Sequence, residues 1–241
     1  MTGTWTIFRR EMIQYFTSPI SYTIMAALMV LTGLYFNGDV AASITVKPIN
    51  PSLIPDFLST ALIFLAPLMT MRLLAEEKRE GTLELMLTAP VSDIAIVVGK
   101  FLSAWCYYSI ILALTLTYQI IVIRYSQPDL THTICAYIGI WLYGGAALSI
   151  GLAFSAFTEN QIVAAFLSVA TLSLLYLGDV AGQIVSNLDL AAILRQLTLS
   201  GHYASSFSAG LIRGEDVAYF AGIIVIMLFV AIRVVESHRW R

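Results

Sequence analysis

Six long apolar blocks govern what this chain can fold into. They fall at about Ile20–Phe36, Asp56–Leu74, Ile94–Ile123, Thr133–Phe157, Ile162–Leu177 and Val217–Val235. A helix needs about 17–25 predominantly apolar residues to cross a bilayer. In hydrocarbon, a single segment can satisfy its own backbone polar groups only as a helix. The blocks therefore predict an all-α membrane protein with six transmembrane helices. Composition agrees: 59% of the 241 residues are hydrophobic and 12% charged, about half the charged share of a soluble domain. The third block is longer than a perpendicular crossing requires, so a tilt or a protruding end is expected. Pro67 inside the second block predicts a kink. The fourth block carries Gly139, Gly144, Gly145 and Gly151, and small residues let helices approach closely, so it is expected to be buried in a bundle.

The segments between the blocks divide by charge. Residues 1–19 place Ile7, Phe8, Met12, Tyr15 and Phe16 mostly on one helical face, with Arg9, Arg10 and Glu11 between them. This predicts an amphipathic interfacial helix lying against membrane lipid, followed by a six-span domain over 20–241. A cleaved leader is disfavoured, because Glu11 interrupts the basic region and no small-residue cleavage site follows the apolar run. Residues 37–55, with three prolines, read as a loop. Residues 124–131 and 155–161 read as turns, and 178–215 as one or two short interfacial or re-entrant helices. Lys100, near the start of the third block, is expected to snorkel to the interface.

The densest cluster of charge, residues 72–93, lies between the second and third blocks. It cannot sit in hydrocarbon, where each ionised side chain costs roughly 2.5–3.5 kcal/mol or more. Arg72 and Glu76 are spaced to pair across one helical turn. Gly81 permits a bend, Thr82 suits the cap of a new short helix, and Pro90 ends it. Leu83, Leu85, Met86 and Leu87 would make that short helix apolar on more than one side. An apolar turn rimmed by charge predicts a docking surface; an ordinary solvated loop stiffened by ion pairs is the alternative.

Lysine and arginine set the orientation. With six spans, the termini share one side with Arg9, Arg10, Arg72, Lys78, Arg79, Lys100, Arg233, Arg239 and Arg241. The other side holds Lys47, Arg124, Arg195 and Arg213. The excess predicts cytoplasmic termini, a cytoplasmic 72–93 segment and an outer-side 178–215 segment. The sequence contains no phosphate-binding loop, no His-Glu-x-x-His and no Gly-x-Ser-x-Gly. It has no basic stripe for nucleic acid and no cysteine pattern for a metal. No paired carboxylates within a span suggest a proton relay. An intramembrane enzyme is disfavoured on the same grounds. What remains is a membrane protein whose energy comes from a partner.

The run Glu76-Glu77-Lys78-Arg79-Glu80-Gly81-Thr82-Leu83-Glu84-Leu85-Met86-Leu87, with Pro90-Val91-Ser92 after it, resembles the coupling segment of ABC transporter permeases of the ABC-2 type. Arg9-Arg10-Glu11 resembles that family's interfacial connecting helix, and Thr158-Glu159-Asn160-Gln161 its turn between spans four and five. Phe207-Ser208-x-Gly210, Asp216-Val217-x-Tyr219-Phe220 and Glu236-Ser-x-Arg239-Trp240 are similar to the subgroup that includes the gliding-motility-associated permease. The resemblance implies a non-catalytic permease subunit of an exporter in the inner (cytoplasmic) membrane, paired with a second copy or a related permease. It implies an ABC ATP-binding subunit that carries ATP and magnesium, with no cofactor on this chain. It assigns ATPase coupling to Glu76, Glu77, Lys78, Arg79, Glu80, Gly81, Thr82, Leu83, Glu84 and Leu87, and allows an extracytoplasmic accessory subunit. A scaffold that docks an ATPase and an outer partner without moving a solute is the alternative.

Overall fold

The structure, a computed structural model, describes residues 2–43, 50–88, 91–126, 129–184 and 196–238. The regular elements among them are all helical: α1 (Thr2–Thr17), α2 (Pro19–Ser43), α3 (Leu53–Thr70), α4 (Ala75–Arg79), α5 (Thr82–Thr88), α6 (Asp93–Ser126), α7 (Leu130–Phe157), α8 (Gln161–Ile184), α9 (Leu199–Ser205) and α10 (Gly214–His238). A single 3-10 turn, Phe207–Ala209, follows α9. Among the described residues, six helical stretches are long and apolar enough to cross a membrane.

Four of the six spanning helices run past their expected ends; α3 stops short at Thr70 and α7 ends at Phe157 as expected. Asn37, Gly38 and Asp39 do not stop α2, which continues to Ser43. A lone glycine in a helix costs only about 1 kcal/mol against alanine, and nothing crowds Gly38. Pro55 is not a loop residue. It sits in the first turn of α3, where its missing N–H needs no partner. One turn after Pro67, α3 stops, and the Met71 N–H bonds back to the Pro67 carbonyl at 2.8 Å. The third and fourth spans meet at Asp129, whose carboxylate caps α7 by accepting from the N–H groups of Thr131 (2.9 Å) and His132 (3.4 Å). The fifth span runs to Ile184, so Gly178 and Asp179 are helical rather than part of a connecting segment. Lys47, Pro90 and residues 185–195 lie outside the described residues.

As expected, α7 is buried in the bundle, and it is also its hub. It packs against α3, α6, α8 and α10, and Ala146, Ala147, Leu148 and Leu152 are fully buried. Tyrosines of α6 tie the neighbouring helices together. Tyr107 donates to the Ser21 carbonyl (2.6 Å), Tyr108 to the Ile140 carbonyl (2.9 Å) and Tyr118 to the Met29 carbonyl (2.8 Å). By contrast, α2, α8 and α10 expose Val30, Leu34, Ile162, Phe166, Val225 and Phe229. Polarity is thus inverted: polar links lie inside and large apolar side chains face out, as on a bundle whose solvent is lipid.

The helix α1 lies along the start of α6, and the apolar residues expected to face lipid are divided between two sides. The row turned inward is Ile7, Glu11 and Tyr15, while Trp5, Ile13 and Phe16 are exposed. Glu11 is therefore part of the packed face, for a reason that appears at the charged end of the bundle. At the opposite end, α9 and the 3-10 turn form a cap over the ends of α3, α7, α8 and α10. Phe207 is its fully buried anchor.

Candidate functional site

The charged end is assembled where α3 gives way to α4. Residues 71–74 form a turn rather than helix, which frees the backbone groups around it. One side chain collects them. Ser155, in the last turns of α7, accepts from the N–H groups of Leu74 (3.1 Å) and Ala75 (3.0 Å) and donates to the Met71 carbonyl (3.0 Å). A buried donor left without a partner costs about 1–3 kcal/mol. Ser155→Ala is thus expected to destabilise this end by about 2 kcal/mol or more and to speed amide exchange at Leu74 and Ala75. Exchange unchanged at both amides would show that Ser155 does not hold the turn.

The helix α4 has only five residues, and they face three ways. Glu77 points inward. Its Oε1 lies 2.9 Å from Lys100 Nζ and 3.7 Å from an Arg10 guanidinium nitrogen. The same Lys100 Nζ lies 2.7 Å from Glu11 Oε1. Lys100 is 1% exposed and Glu11 4%. Lys100 therefore does not snorkel. Two carboxylates from elements far apart in sequence hold it inside the protein, and removing those partners would strand a buried charge. The close approach that permits this occurs at Gly99, where a β-carbon would lie 3.0 Å from both Ile7 Cβ and the Thr4 carbonyl.

Lys78 points sideways. It donates to the Ala156 carbonyl at the end of α7, and its Nζ lies 2.7 Å from His238 Nε2 at the end of α10. Arg79 and Glu80 point out, with Gly81 and Glu84 beside them. Gly81 adopts φ +69, the left-handed conformation that glycine enters without steric cost, and so turns the chain from α4 into α5. Thr82 does not cap α5 as expected: it occupies the first helical position and its hydroxyl donates back to the Glu77 carbonyl at 3.3 Å.

Two further expectations change. The ion pairing of this region runs through Glu77, Glu11, Arg10 and Lys100, not through Arg72 and Glu76. Those two are joined through the backbone, the Glu76 N–H bonding to the Arg72 carbonyl. Of the four residues expected to make α5 apolar on its surface, Leu83 and Met86 turn inward, and the side chains of Leu85 and Leu87 lie outside the described residues. Leu83 is 3% exposed and packs into the core. Met86 is half-buried, its sulfur accepting from Arg10 at 3.6 Å. Among the described side chains, Arg79, Glu80 and Glu84 are charged and open at the tip. Leu87 belongs to α5, and its side chain is outside the described residues. Arg9 is exposed on α1. A cleft of about 380 Å³ separates α1 from α4, lined by Arg10, Gln14, Arg72, Glu76, Glu77 and Lys100.

The structure thus brings Arg10, Glu11, Glu77 and Lys78 into contact with the bundle and leaves Arg9, Arg79, Glu80, Gly81 and Glu84 on the surface. Sequence reasoning missed Ser155, His238 and the true role of Lys100. A lysine beside an apolar block carried a signal, because an ionisable group there needs a partner. A serine in a small-residue helix and a histidine at a chain end carried none. Among the described residues, no group of three or more His, Cys, Asp or Glu is arranged to hold a metal. Chemically, the site can transmit force: five residues of α4 are fastened to α1, α6, α7 and α10 on one side and open to solvent on the other.

A search of curated proteins returns no match. A protein-family model described as ABC-2 family transporter protein matches residues 12–231. That range takes in five spans whole, most of the sixth, α4 and the far cap, so the chain belongs to the ABC-2 family of transporter membrane proteins.

Proposed function

We propose that this chain is the permease subunit of an ATP-driven exporter and that α4–α5 is the element through which a separate ATPase subunit drives it. Family membership implies a multi-pass permease and an ABC ATP-binding partner. The observation that supports the assignment of α4–α5 is the buried Glu11–Lys100–Glu77 cluster. A short element free to bend under load would absorb a push. One pinned by Glu77, Lys78 and Ser155 passes it on to α1, α6, α7 and α10 together.

In this reading Arg79, Glu80, Gly81 and Glu84 meet the ATPase, Glu76 and Thr82 shape the turn, and Leu83 and Leu87 seat α5. ATP and magnesium stay on the partner. Arg9, Arg10, Arg72, Lys78, Arg79, Lys100 and Arg233 belong to this end of the bundle, against Arg124 and Arg213 at the other among the described residues. That bias supports cytoplasmic termini in the inner membrane. The outward apolar faces of α2 and α8 suit a second permease copy as well as lipid. The likeness of α10 to the gliding-motility-associated subgroup supports an accessory subunit at the far cap. Transport outward rests on the family resemblance.

The test is purification from native membranes in mild detergent. A stoichiometric subunit with a phosphate-binding loop is expected to accompany the chain. Glu80→Lys with Glu84→Lys is expected to weaken that association about a hundredfold or more, since like charges placed across an interface cost several kcal/mol. Both residues are exposed, so the permease itself should fold. Undiminished association would remove the tip of α4–α5 as the docking surface.

A further inference from the structure

We infer that His202 is a doubly protonated latch and that its positive charge holds the far cap closed. The two ring nitrogens decide this. Nδ1 lies 2.5 Å from Asp216 Oδ1 at the start of α10, and Nε2 lies 2.9 Å from the Gln196 carbonyl. A carbonyl and an ionised carboxylate only accept hydrogen bonds. A neutral imidazole has one N–H and one lone pair, so it would leave a lone pair facing an acceptor. Only the imidazolium donates at both contacts.

The burial of Asp216 gives a second, independent argument. Its side chain is 4% exposed, His202 is its ion-pair partner, and Oδ2 has no hydrogen-bond partner among the described residues. Loss of the ring's charge would leave a buried carboxylate without compensation. The pair therefore retains one more proton than a neutral ring and an ionised carboxylate would. The ring is also stacked on Tyr219 of α10 at 3.8 Å between centroids, within the range for a cation over an aromatic face.

The other titratable or charged groups on elements packed against the cap do not replace this charge. Asp56 of α3 is occupied by Tyr203 (3.1 Å), Ser208 (2.8 Å) and Ser52 (2.7 Å). Arg213 and Glu215, just before and within α10, are exposed and paired with each other at 3.8 Å. Asp179 of α8 is buried and is itself partnered. Tyr143 of α7 is buried and packs edge-on to Tyr203. His132 of α7 lies with Nε2 2.7 Å from the Ser208 carbonyl and forms a separate fastening of the 3-10 turn. Of these fastenings, the His202–Asp216 pair joins α9 directly to α10, and its strength depends on one proton.

The consequence is a cap that is tight while the ring is charged and looser once it loses that proton. If the far end is the exit side of the permease, as proposed above, the latch makes opening of the exit sensitive to outside pH. The pairing itself does not depend on that reading, and neither does its test. In the full chain, ¹⁵N-labelled at histidine, His202 is expected to show two protonated ring nitrogens at pH 6. Amide exchange over α9, corrected for intrinsic rates, is expected to accelerate about tenfold or more between pH 5 and pH 8.5. His202→Gln should abolish that pH dependence and hold exchange at the fast level. Asp216→Asn should leave a ring with one bare nitrogen at pH 6. A bare nitrogen in the unmodified protein at pH 6, pH-independent exchange, or the same pH dependence surviving in His202→Gln (which would assign it to His132) would each overturn the latch. A failure here leaves the ATPase-association test untouched.

Discussion

Replacing Lys100 by methionine is expected to destabilise the folded chain by about 3–5 kcal/mol, the cost of breaking a buried ion cluster by removing one partner. The lysine is 1% exposed and neutralises Glu11 and Glu77 at once. Without it, two carboxylates face each other across α1 and α4, relieved only by Arg10 at 3.7 Å from Glu77. A thermal unfolding series in mild detergent reads this loss directly. The informative companion is the triple variant Glu11→Leu, Lys100→Met, Glu77→Leu. Replacing a whole buried charge cluster by apolar residues of similar size is often neutral or stabilising, so most of the stability is expected to return. Coupling is not expected to return with it. An apolar contact holds α1, α4 and α6 together but fixes no direction, whereas Glu77 on Lys100 sets the register of α4. A triple variant that is stable yet shows no response of the partner's ATPase would separate the structural role of the cluster from its mechanical one. If Lys100→Met unfolds like the unmodified chain, the cluster is not buried as described, and its part in transmission falls with it.

How far the sequence exposed this arrangement depends on the range of the forces involved. The six spans and the burial of α7 were legible because apolar length and small-residue content are local properties. The bend at Gly81 was legible for the same reason, since the backbone there needs a conformation that few residues tolerate. Ends of helices were not. Asn37, Gly38 and Asp39 look like a stop, yet α2 continues to Ser43, because a propensity penalty of up to about 1 kcal/mol per residue does not by itself end a helix that is already propagating. The density of charge over residues 72–93 was legible, but its pairing was not. The spacing of Arg72 and Glu76 advertised a local pair, whereas Glu77 reached Lys100 across the third span. Local spacing says which charges can pair on one helix and nothing about what a second helix brings. The inward row of α1 was not foreseen for the same reason: the apolar residues were read as a face toward lipid, whereas Ile7 and Tyr15 turn inward together with Glu11, which the buried lysine holds.

Gly144→Ala, the smallest change available at the centre of the bundle, is expected to cost about 3 kcal/mol through overpacking. A β-carbon there would fall inside the ring of Tyr108, with Cδ1 only 2.9 Å away. The ring cannot swing aside. Tyr108 is fully buried and its hydroxyl is bonded to the Ile140 carbonyl one turn earlier on α7. Either that bond breaks or α6 and α7 separate, and separation disturbs Lys100 on the same helix. Shortening the obstacle gives the control: Gly144→Ala combined with Tyr108→Leu should recover part of the loss, because the leucine vacates the position that the new methyl needs. At Gly222 in α10 the sign reverses. Nothing lies within 4 Å of a β-carbon there, so Gly222→Ala should be neutral or stabilise the helix by up to about 1 kcal/mol. Unfolding midpoints for the three variants decide the matter. Equal effects at Gly144 and Gly222 would mean that helix propensity alone is being measured. Opposite effects would mean that α7 is held at its present distance from α6 by the absence of a single methyl group. In that case the separation of these two helices is a quantity the transporter cannot change without unlocking Tyr108 first.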